Sequence, residues 1–319
     1  MEKHTLTSND PLLCTLHSSD ANHQAANLIN WQQEYDQLGQ GRFLGVINEI
    51  NFPHMHVFRE DTNRGLRQQC RVEQGGLWLG FSANNKSCRI NNKQATNNQF
   101  LCRPGSKDFE LLTPDEFSIF GLVLHKSLFT QGTDQHEQIL INQTCDDLWL
   151  ENISPRTLMM FREYLSLLLQ PEGNRWSSDT QEVILKDAVL DLFSQAQPVS
   201  PVHQVASHQR QHIMKRVRSY LTESRLKSPV TISEICDAVH VSRRTLQYTF
   251  TQCCDMSPKQ YIQITRLNQV RRALLNDTDN QTIADIAFDH GFFHLGQFSQ
   301  DYKRLFGEKP NQTRQSENE

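Results

Sequence analysis

The residues with the most obvious capacity for chemistry are two histidines and a glutamate in the first third of the chain. His54-x-His56-x-x-x-Glu60 has the spacing of a metal-binding strand, because alternation along a strand would put all three side chains on one face. A metal enzyme built this way needs a further ligand from a later strand, often a histidine, and no histidine lies between His56 and His125. We therefore expect no metal here and no enzyme, since the sequence also lacks a glycine-rich phosphate loop and a nucleophile elbow.

A second group of side chains, in the last third of the chain, has the chemistry to read DNA. Arg and Gln can form paired hydrogen bonds with guanine and adenine edges in the major groove. The apolar spacing of Leu246 and Phe250 predicts that they point inward, so the residues between them and before them point outward. The outward residues of this helix are Arg243, Arg244, Gln247 and Tyr248. Those of a second helix are His294, Leu295, Gly296, Gln297 and Gln300. The second helix has no arginine before Arg304, so we expect it to contribute less to sequence reading.

An internal repeat indicates how these two helices are held. Thr231-Ile232-x-x-Ile235-Cys236 reappears as Thr282-Ile283-x-x-Ile286-Ala287, and Leu246-x-x-x-Phe250 reappears as Phe298-x-x-x-Tyr302. Each copy predicts a capped short helix, a tight turn and a second helix, which is the helix-turn-helix layout. A long helical pattern beginning at Pro258 joins the copies.

The preceding part of the chain predicts a different class of structure. Seven short runs of β-branched and aromatic residues predict strands in a barrel or sandwich, at 43–50, 55–59, 66–72, 77–81, 100–103, 109–112 and 118–124. Helical patterns are found at 22–35, 155–169 and 180–196. A proline-containing stretch at 197–207 predicts a linker. The predicted organisation is thus a β-rich domain with a helical tail over 1–196, a linker over 197–207 and an all-α domain over 208–319.

Composition and charge are consistent with two such domains. Of 319 residues, 37% are hydrophobic and 21% charged, and no apolar run approaches the roughly 20 residues of a membrane helix. Residues 207–319 carry 16 Lys and Arg against 12 Asp and Glu, whereas residues 1–206 carry 16 against 24. A basic second half favours an anionic partner. The N-terminus lacks a signal-like segment, so we expect a cytoplasmic protein without a membrane partner, and the eight cysteines, which lack metal-site spacing, to be reduced and mostly buried.

Residues 208–315 resemble the DNA-binding domain of the AraC/XylS family of transcription regulators. The resemblance rests on Val241-Ser242-Arg243-Arg244-Thr245-Leu246, Ser257-Pro258, Ile286-Ala287 with Gly291-Phe292, and Phe306-Gly307-Glu308-Lys309-Pro310. Asp255 and Val270 depart from the family pattern, which usually has glycine and alanine there. The resemblance implies base contacts at Arg244, Gln247 and Tyr248, and two helix-turn-helix motifs joined by a long helix.

The first half is similar to the cupin-like sensor and dimerisation half of many regulators in this family. Trp31-x-x-x-Tyr35-Asp36-Gln37-Leu38-x-x-Gly41-Arg42-Phe43, Val57-Phe58-Arg59-Glu60 and Leu66-Arg67-Gln68 also look like the ethanolamine-utilisation activators, as do Val270-Arg271-Arg272 and His294-Leu295-Gly296-Gln297-Phe298. That likeness implies ethanolamine with adenosylcobalamin as effectors, and no other cofactor.

The expected function is therefore a transcription activator that responds to a small-molecule effector. Its expected partners are double-stranded promoter DNA, RNA polymerase, the effector and a second copy of the chain. Two alternatives remain at this point: a cupin-type metalloenzyme domain fused to a DNA-binding module, and a ligand-independent regulator that acts through protein contacts. For Arg266, Arg271 and Arg272, phosphate contacts and salt bridges within the domain are equally open.

Overall fold

The chain folds as a β-rich region followed by a helical region. The computed structural model describes residues 13–29, 31–95, 99–105, 107–129, 149–151, 153–170, 177–195, 197–198, 204–223, 230–276 and 281–315. We refer to the described residues up to 198 as the β-rich region and to those from 204 onward as the helical region. All strand pairings in the described residues are antiparallel.

Two sheets make up the β-rich region. The larger has the spatial order β1 (Cys14–Ser18), β3 (Gly45–Asn51), β4 (Met55–Thr62), β11 (Phe117–His125), β6 (Gly76–Ser82), β9 (Phe100–Pro104), β12 (Trp149–Glu151) and β13 (Gln197–Pro198). The smaller has the order β2 (Trp31–Gln37), β5 (Leu66–Val72), β10 (Phe109–Thr113), β7 (Cys88–Ile90) and β8 (Lys93–Ala95). The seven strands expected from the sequence are all present, as β3, β4, β5, β6, β9, β10 and β11.

Alternation along the strands divides most of their apolar side chains between two cores. One core includes Tyr35, Leu66, Trp78 and Phe109, where residues of the two sheets pack together. The other lies on the opposite face of the larger sheet and includes Val57, Leu79 and Phe120. Helices α2 (Pro155–Leu168) and α3 (Ser178–Gln195) cover that second core, so the helices predicted at 155–169 and 180–196 are confirmed.

The helix predicted over 22–35 is wrong in its second half. Helix α1 (Ala21–Asn27) begins after Asp20, whose carboxylate accepts hydrogen bonds from the backbone N–H groups of Asn22 and His23, and strand β2 begins at Trp31. The spacing of Trp31 and Tyr35 fits one face of a helix and also one face of a strand, because both 3.6- and 2-residue periods bring residues four apart to the same side. Pairing with β5 decides in favour of the strand.

The helical region contains a series of short helices around one long one. In order they are α4 (Gln204–Glu223), α5 (Ile232–Val239), α6 (Arg243–Cys254), α7 (Pro258–Leu275), α8 (Ile283–Asp289), α9 (Leu295–Phe306) and α10 (Pro310–Gln315). The stretch predicted to be a linker, 197–207, contains β13 at its start and the first residues of α4 at its end. Residues 196 and 199–203 lie outside the described residues. The domain boundaries therefore stay a prediction.

Two general expectations can be compared with the described residues. Six of the seven cysteines in the described part are buried and all seven are free thiols, as expected; Cys145 lies outside it. Burial raises the pKa of the Cys88 and Cys254 thiols to about 12, so neither is a reactive thiolate near neutral pH. Within the described ranges, no helix has the length and apolar character needed to cross a membrane.

Candidate nucleic-acid interface

The first helix pair, α5 and α6, is built by local hydrogen bonds that its sequence specifies. Thr231 and Glu234 form a reciprocal capping box at the start of α5, and Ser242 caps α6 by accepting a hydrogen bond from the N–H of Thr245. The turn between them passes through His240 in the left-handed conformation (φ 52°). Leu246 and Phe250 are both 0% exposed, as their spacing predicted. The opposite side of α6 is therefore left facing solvent.

The second helix pair, α8 and α9, repeats this construction with one difference at the start of α9. Thr282 and Asp285 form the capping box of α8, and Gly291 (φ 80°) makes the turn. Phe298 and Tyr302 are buried, at the positions that the repeat assigns to them. His294 precedes α9 without donating or accepting a side-chain cap bond. The first N–H groups of α9 thus have no side-chain cap from His294, and they carry the positive end of the helix dipole.

All nine residues predicted to face outward on α6 and α9 are exposed. Within the described ranges, the side chains of Arg244 and Gln247 make no hydrogen bond or ion pair. Arg243 donates from Nη2 to Ser233 Oγ at 2.9 Å, which ties α6 to α5, and Gln297 donates from Nε2 to an Asp301 carboxylate oxygen at 3.0 Å. Arg244 and Gln247 are therefore available to a partner as they stand, whereas Arg243 and Gln297 already have one. Contact of all nine with DNA remains a prediction.

The two helix pairs border one concave surface along α7. A groove of about 860 Å³ runs between the start of α5, one face of α7 and the start of α9, and its lining includes Ile232, Lys259, Arg266 and His294. Lys259 and Ile232 also line the neighbouring hollow that contains Arg243, Arg244 and Gln247. The groove is lined by three cations, Lys259, Arg266 and Arg304, and one acid, Asp301. A basic groove flanked by two exposed helix starts has the shape and charge to receive a nucleic-acid backbone.

Two of the three arginines left open by the sequence turn out to bind the β-rich region. Arg271 Nε lies 2.5 Å from Asp20 Oδ2, and Arg272 Nη1 lies 2.8 Å from Asp36 Oδ1. Both arginines thus pair with acids of the β-rich region, which is neither of the two alternatives left open by the sequence. Arg271 also pairs with Glu308 of the helical region, at 2.8 Å. Burial on its own would raise the pKa of Asp20, but the charge and hydrogen bond of Arg271, together with the backbone N–H groups of Asn22 and His23, lower the pKa overall. Arg266, in contrast, lines the groove.

Further contacts show that these pairs belong to a broad surface between the two regions. Arg67, itself 2.5 Å from Asp36, donates to the Tyr261 hydroxyl; Arg218 pairs with Glu110; Arg89 Nη1 lies 2.5 Å from Asp255. The sequence-based reasoning missed this surface. Its signal was the opposite charge of the two halves, which we interpreted only as attraction to an external anion.

The histidine–glutamate motif does not converge in the folded chain. His54 is exposed and precedes β4, His56 Nε2 lies 2.9 Å from Glu49 Oε2, and Glu60 is enclosed between the sheets. Glu60 accepts hydrogen bonds from Gln24 at 3.2 Å and Gln68 at 3.1 Å. Burial raises its pKa to about 7. In the part of the chain that the structure describes, no group of three or more His, Cys, Asp or Glu side chains is placed to hold a metal ion.

Comparison with known proteins places the C-terminal helices in a defined class. Residues 235–316 match the family described as a helix-turn-helix domain. The XylDLEGF operon transcriptional activator of Pseudomonas putida is 34% identical over 100 residues, which are 31% of either chain. The HTH-type transcriptional regulator ArgR of Pseudomonas aeruginosa is 35% identical over 94 residues, covering 30% of this chain and 28% of that one. A probable AraC family transcriptional regulator from Rhodopseudomonas palustris, known as a crystal structure, is 28% identical over 33% of this chain and 96% of that chain, with a TM-score of 0.31.

Within the helical region, residues 235–316 thus match a helix-turn-helix domain, and the resemblance of this part to AraC/XylS-type regulators is supported. Both curated relatives are named as regulators of transcription. The chain spans about a third of the length of the curated relatives it matches.

Proposed function

We propose that the protein is a sequence-specific DNA-binding regulator of transcription of the AraC/XylS type, acting in the cytoplasm as an activator. Helices α6 and α9 are the recognition helices of two helix-turn-helix motifs. They enter successive major-groove segments on one face of the duplex, about 34 Å apart. The proposal rests on two helix pairs, α5–α6 and α8–α9, that border one basic groove. The outward faces of α6 and α9 are exposed beside it.

Base reading by α6 is tested with Gln247→Ala in the full chain. Losing one bidentate base contact should weaken binding to a selected operator by about 5- to 150-fold, equivalent to about 1–3 kcal/mol. Binding to random DNA should hardly change, because an amide neutralises no phosphate. Gln252→Ala is the matched control, since Gln252 is exposed on the same helix five residues further on. Equal losses on operator and random DNA would remove Gln247 from the base-reading set.

The same measurement on Arg244→Ala separates charge from recognition. Arg244 is exposed and makes no ion pair within the described residues, so removing it should cost affinity on both kinds of DNA and more on the operator. Affinity of the unaltered chain should fall steeply with salt, and Arg244→Ala should reduce that slope by roughly one counterion. An unchanged salt slope would place Arg244 away from phosphate, and equal losses on operator and random DNA would place it away from base edges.

The β-rich region is proposed to be a cupin-like sensor for a small-molecule effector, with ethanolamine and adenosylcobalamin together as the assignment. Support comes from polar groups enclosed between the sheets. The indole N–H groups of Trp31 and Trp78 are buried and, within the described part, have no hydrogen-bond partner. Buried donors without acceptors are costly unless a ligand or water satisfies them. Calorimetry of the full chain with each ligand alone and both together tests the assignment; no heat in any combination would discard it and leave the regulator proposal in place.

Homodimerisation is proposed to use the outer faces of α2 and α3. These faces expose large apolar side chains that the core does not use, among them Met159 (52%), Met160 (56%) and Leu167 (60%) on α2 and Val183 (57%) and Ile184 (41%) on α3. A contiguous apolar face marks an interaction site, and we propose that these side chains form one. Sedimentation equilibrium should give a dimer for the unaltered chain and a weaker one for Leu167→Lys. RNA polymerase is the further partner that an activator requires.

A further inference from the structure

The two recognition helices belong to separate hydrophobic cores. The first helical core contains Leu246 and Phe250 of α6, together with residues of α4 and α5 and Tyr261 near the start of α7. The second helical core contains Phe298 and Tyr302 of α9 and residues from the later part of α7, such as Val270. Helix α7 runs through both cores. The separation and angle between α6 and α9 therefore depend on α7 and on any other element that contacts both cores.

One short stretch of the β-rich region makes such contacts. Leu38, just after β2, packs against the first helical core. On the second, the Gln37 side chain donates from Nε2 to the backbone oxygen of Leu305 at 2.7 Å, and the N–H of Gly41 donates to the same oxygen at 2.9 Å. Leu305 lies at the C-terminal end of α9. Residues 37–42, which we call the connecting segment, therefore bridge the two cores from outside.

The connecting segment also holds the middle of α7. The backbone N–H of Gln37 donates to Asn268 Oδ1 at 2.9 Å, and Asn268 Nδ2 donates back to the oxygen of Gln37 at 3.0 Å. Gln37 is 2% exposed, and its amide has two further carbonyls within reach, those of Gly39 at 2.8 Å and Gly41 at 2.6 Å. The Gln37 side chain thus fixes the conformation of the connecting segment. Its side chain contacts α9 and its backbone contacts α7, so Gln37 joins these two helices.

Close backbone packing at the end of α9 also indicates that the connecting segment holds this helix. Gly307 ends α9 in the left-handed conformation (φ 74°), and a Cβ built there would lie 2.6 Å from the backbone nitrogen of Arg42. The connecting segment and the end of α9 are therefore in direct backbone contact. Meanwhile the starts of α6 and α9 remain exposed, so docking of the β-rich region leaves the candidate DNA face open.

We propose that the connecting segment positions α9, with Gln37 as its positioning residue. By fixing the end of α9 against the middle of α7, it sets the spacing at which α6 and α9 meet the duplex, and the docked arrangement is the DNA-binding one. This inference rests on the proposed function, because it assigns a role to the segment in the reading of two half-sites.

The test uses the full chain and DNA selected from a random pool by the unaltered protein. Gln37→Glu keeps the size of the side chain but replaces its donors with a carboxylate facing three carbonyl oxygens. Hydroxyl-radical footprints should show that Gln37→Glu needs about tenfold more protein than the unaltered chain to protect the half-site read by α9. Protection of the α6 half-site, identified by its loss in Arg244→Ala, should change much less.

Gln32→Glu is the matched control, because Gln32 is exposed on the same strand and carries the same substitution. Asn268→Ala removes the α7 side of the contact and should reproduce the uneven footprint; it decides the matter if Gln37→Glu fails to fold by circular dichroism. Even loss across both half-sites, or no loss, in folded variants would overturn the positioning role while leaving the regulator proposal intact. Failure of the unaltered chain to select or protect any sequence would overturn both.

Discussion

Replacing Gly296 with alanine should stabilise the protein and weaken its binding to DNA. Gly296 is the second residue of α9 and is exposed, and a Cβ built on it would meet nothing within 4 Å. The φ angle of Gly296 is not positive, so an alanine can adopt it. Neither packing nor backbone conformation within the described residues therefore requires glycine at this position, and the substitution should raise the free energy of unfolding by about 0.4–1 kcal/mol.

The DNA complex should respond in the opposite sense. The start of a recognition helix is the part that comes nearest to base edges, so a glycine there allows a closer approach than any other residue. A methyl group inserted into a close contact costs about 1–3 kcal/mol when neither side can move away. Operator affinity of Gly296→Ala should then fall by about 5- to 150-fold.

The assay pairs urea unfolding with fluorescence anisotropy on the same preparations. Gly307→Ala is the control at the other end of α9. There the left-handed φ of 74° and the backbone nitrogen of Arg42, which would lie 2.6 Å from an added Cβ, predict a loss of stability. Opposite signs for stability and affinity in Gly296→Ala would place DNA against this surface. A more stable variant with unchanged operator affinity would refute the reasoning, since the open space would then lie away from the duplex.

Two further predictions concern the β-rich region. Because burial raises the pKa of Glu60 from 4.5 to about 7, the folded chain keeps this proton where the unfolded chain has lost it. The free energy of unfolding should therefore fall as pH rises between those values, by about 3 kcal/mol in total, and urea titrations at a series of pH values should find the trend flattened in Glu60→Gln. Replacing His54 and His56 together by Gln should leave the transcriptional response unchanged in a reporter assay, because their side chains do not converge; loss of a bound metal together with loss of response would contradict this.

The parts of the structure that sequence alone could predict are those in which local pattern and environment agree. The register of Leu246 and Phe250 located the outward face of α6 correctly, since one stripe of a short helix must be buried. Strands with several alternating apolar residues, such as β5 and β11, were found for the same reason. Strand β8 has three residues, Lys93–Ala95, and is formed by pairing with β7, so its own sequence carries almost no periodic signal.

The surface between the two regions could not be predicted in this way. Asp20 and Arg271 are 251 residues apart, and each alone looks like an ordinary surface charge in its local sequence. Only the fold brings them together and removes water from both. The charge difference between the halves predicted an attraction, but it could not distinguish an external polyanion from the acidic half of the same chain.

The buried ion pairs between the regions limit how this protein can recombine with its relatives. Arg271 and Asp20 are 8% and 3% exposed, so an exchange of the helical region alone would strand one of the two charges without its counterpart. An unpaired buried charge costs about 3–5 kcal/mol, enough to separate the regions or unfold one of them. A working chimera must therefore carry residues such as Asp20, Asp36 and Glu110 along with the helices they bind. The two halves therefore carry matched charges, even though only one of them touches DNA in the function we propose.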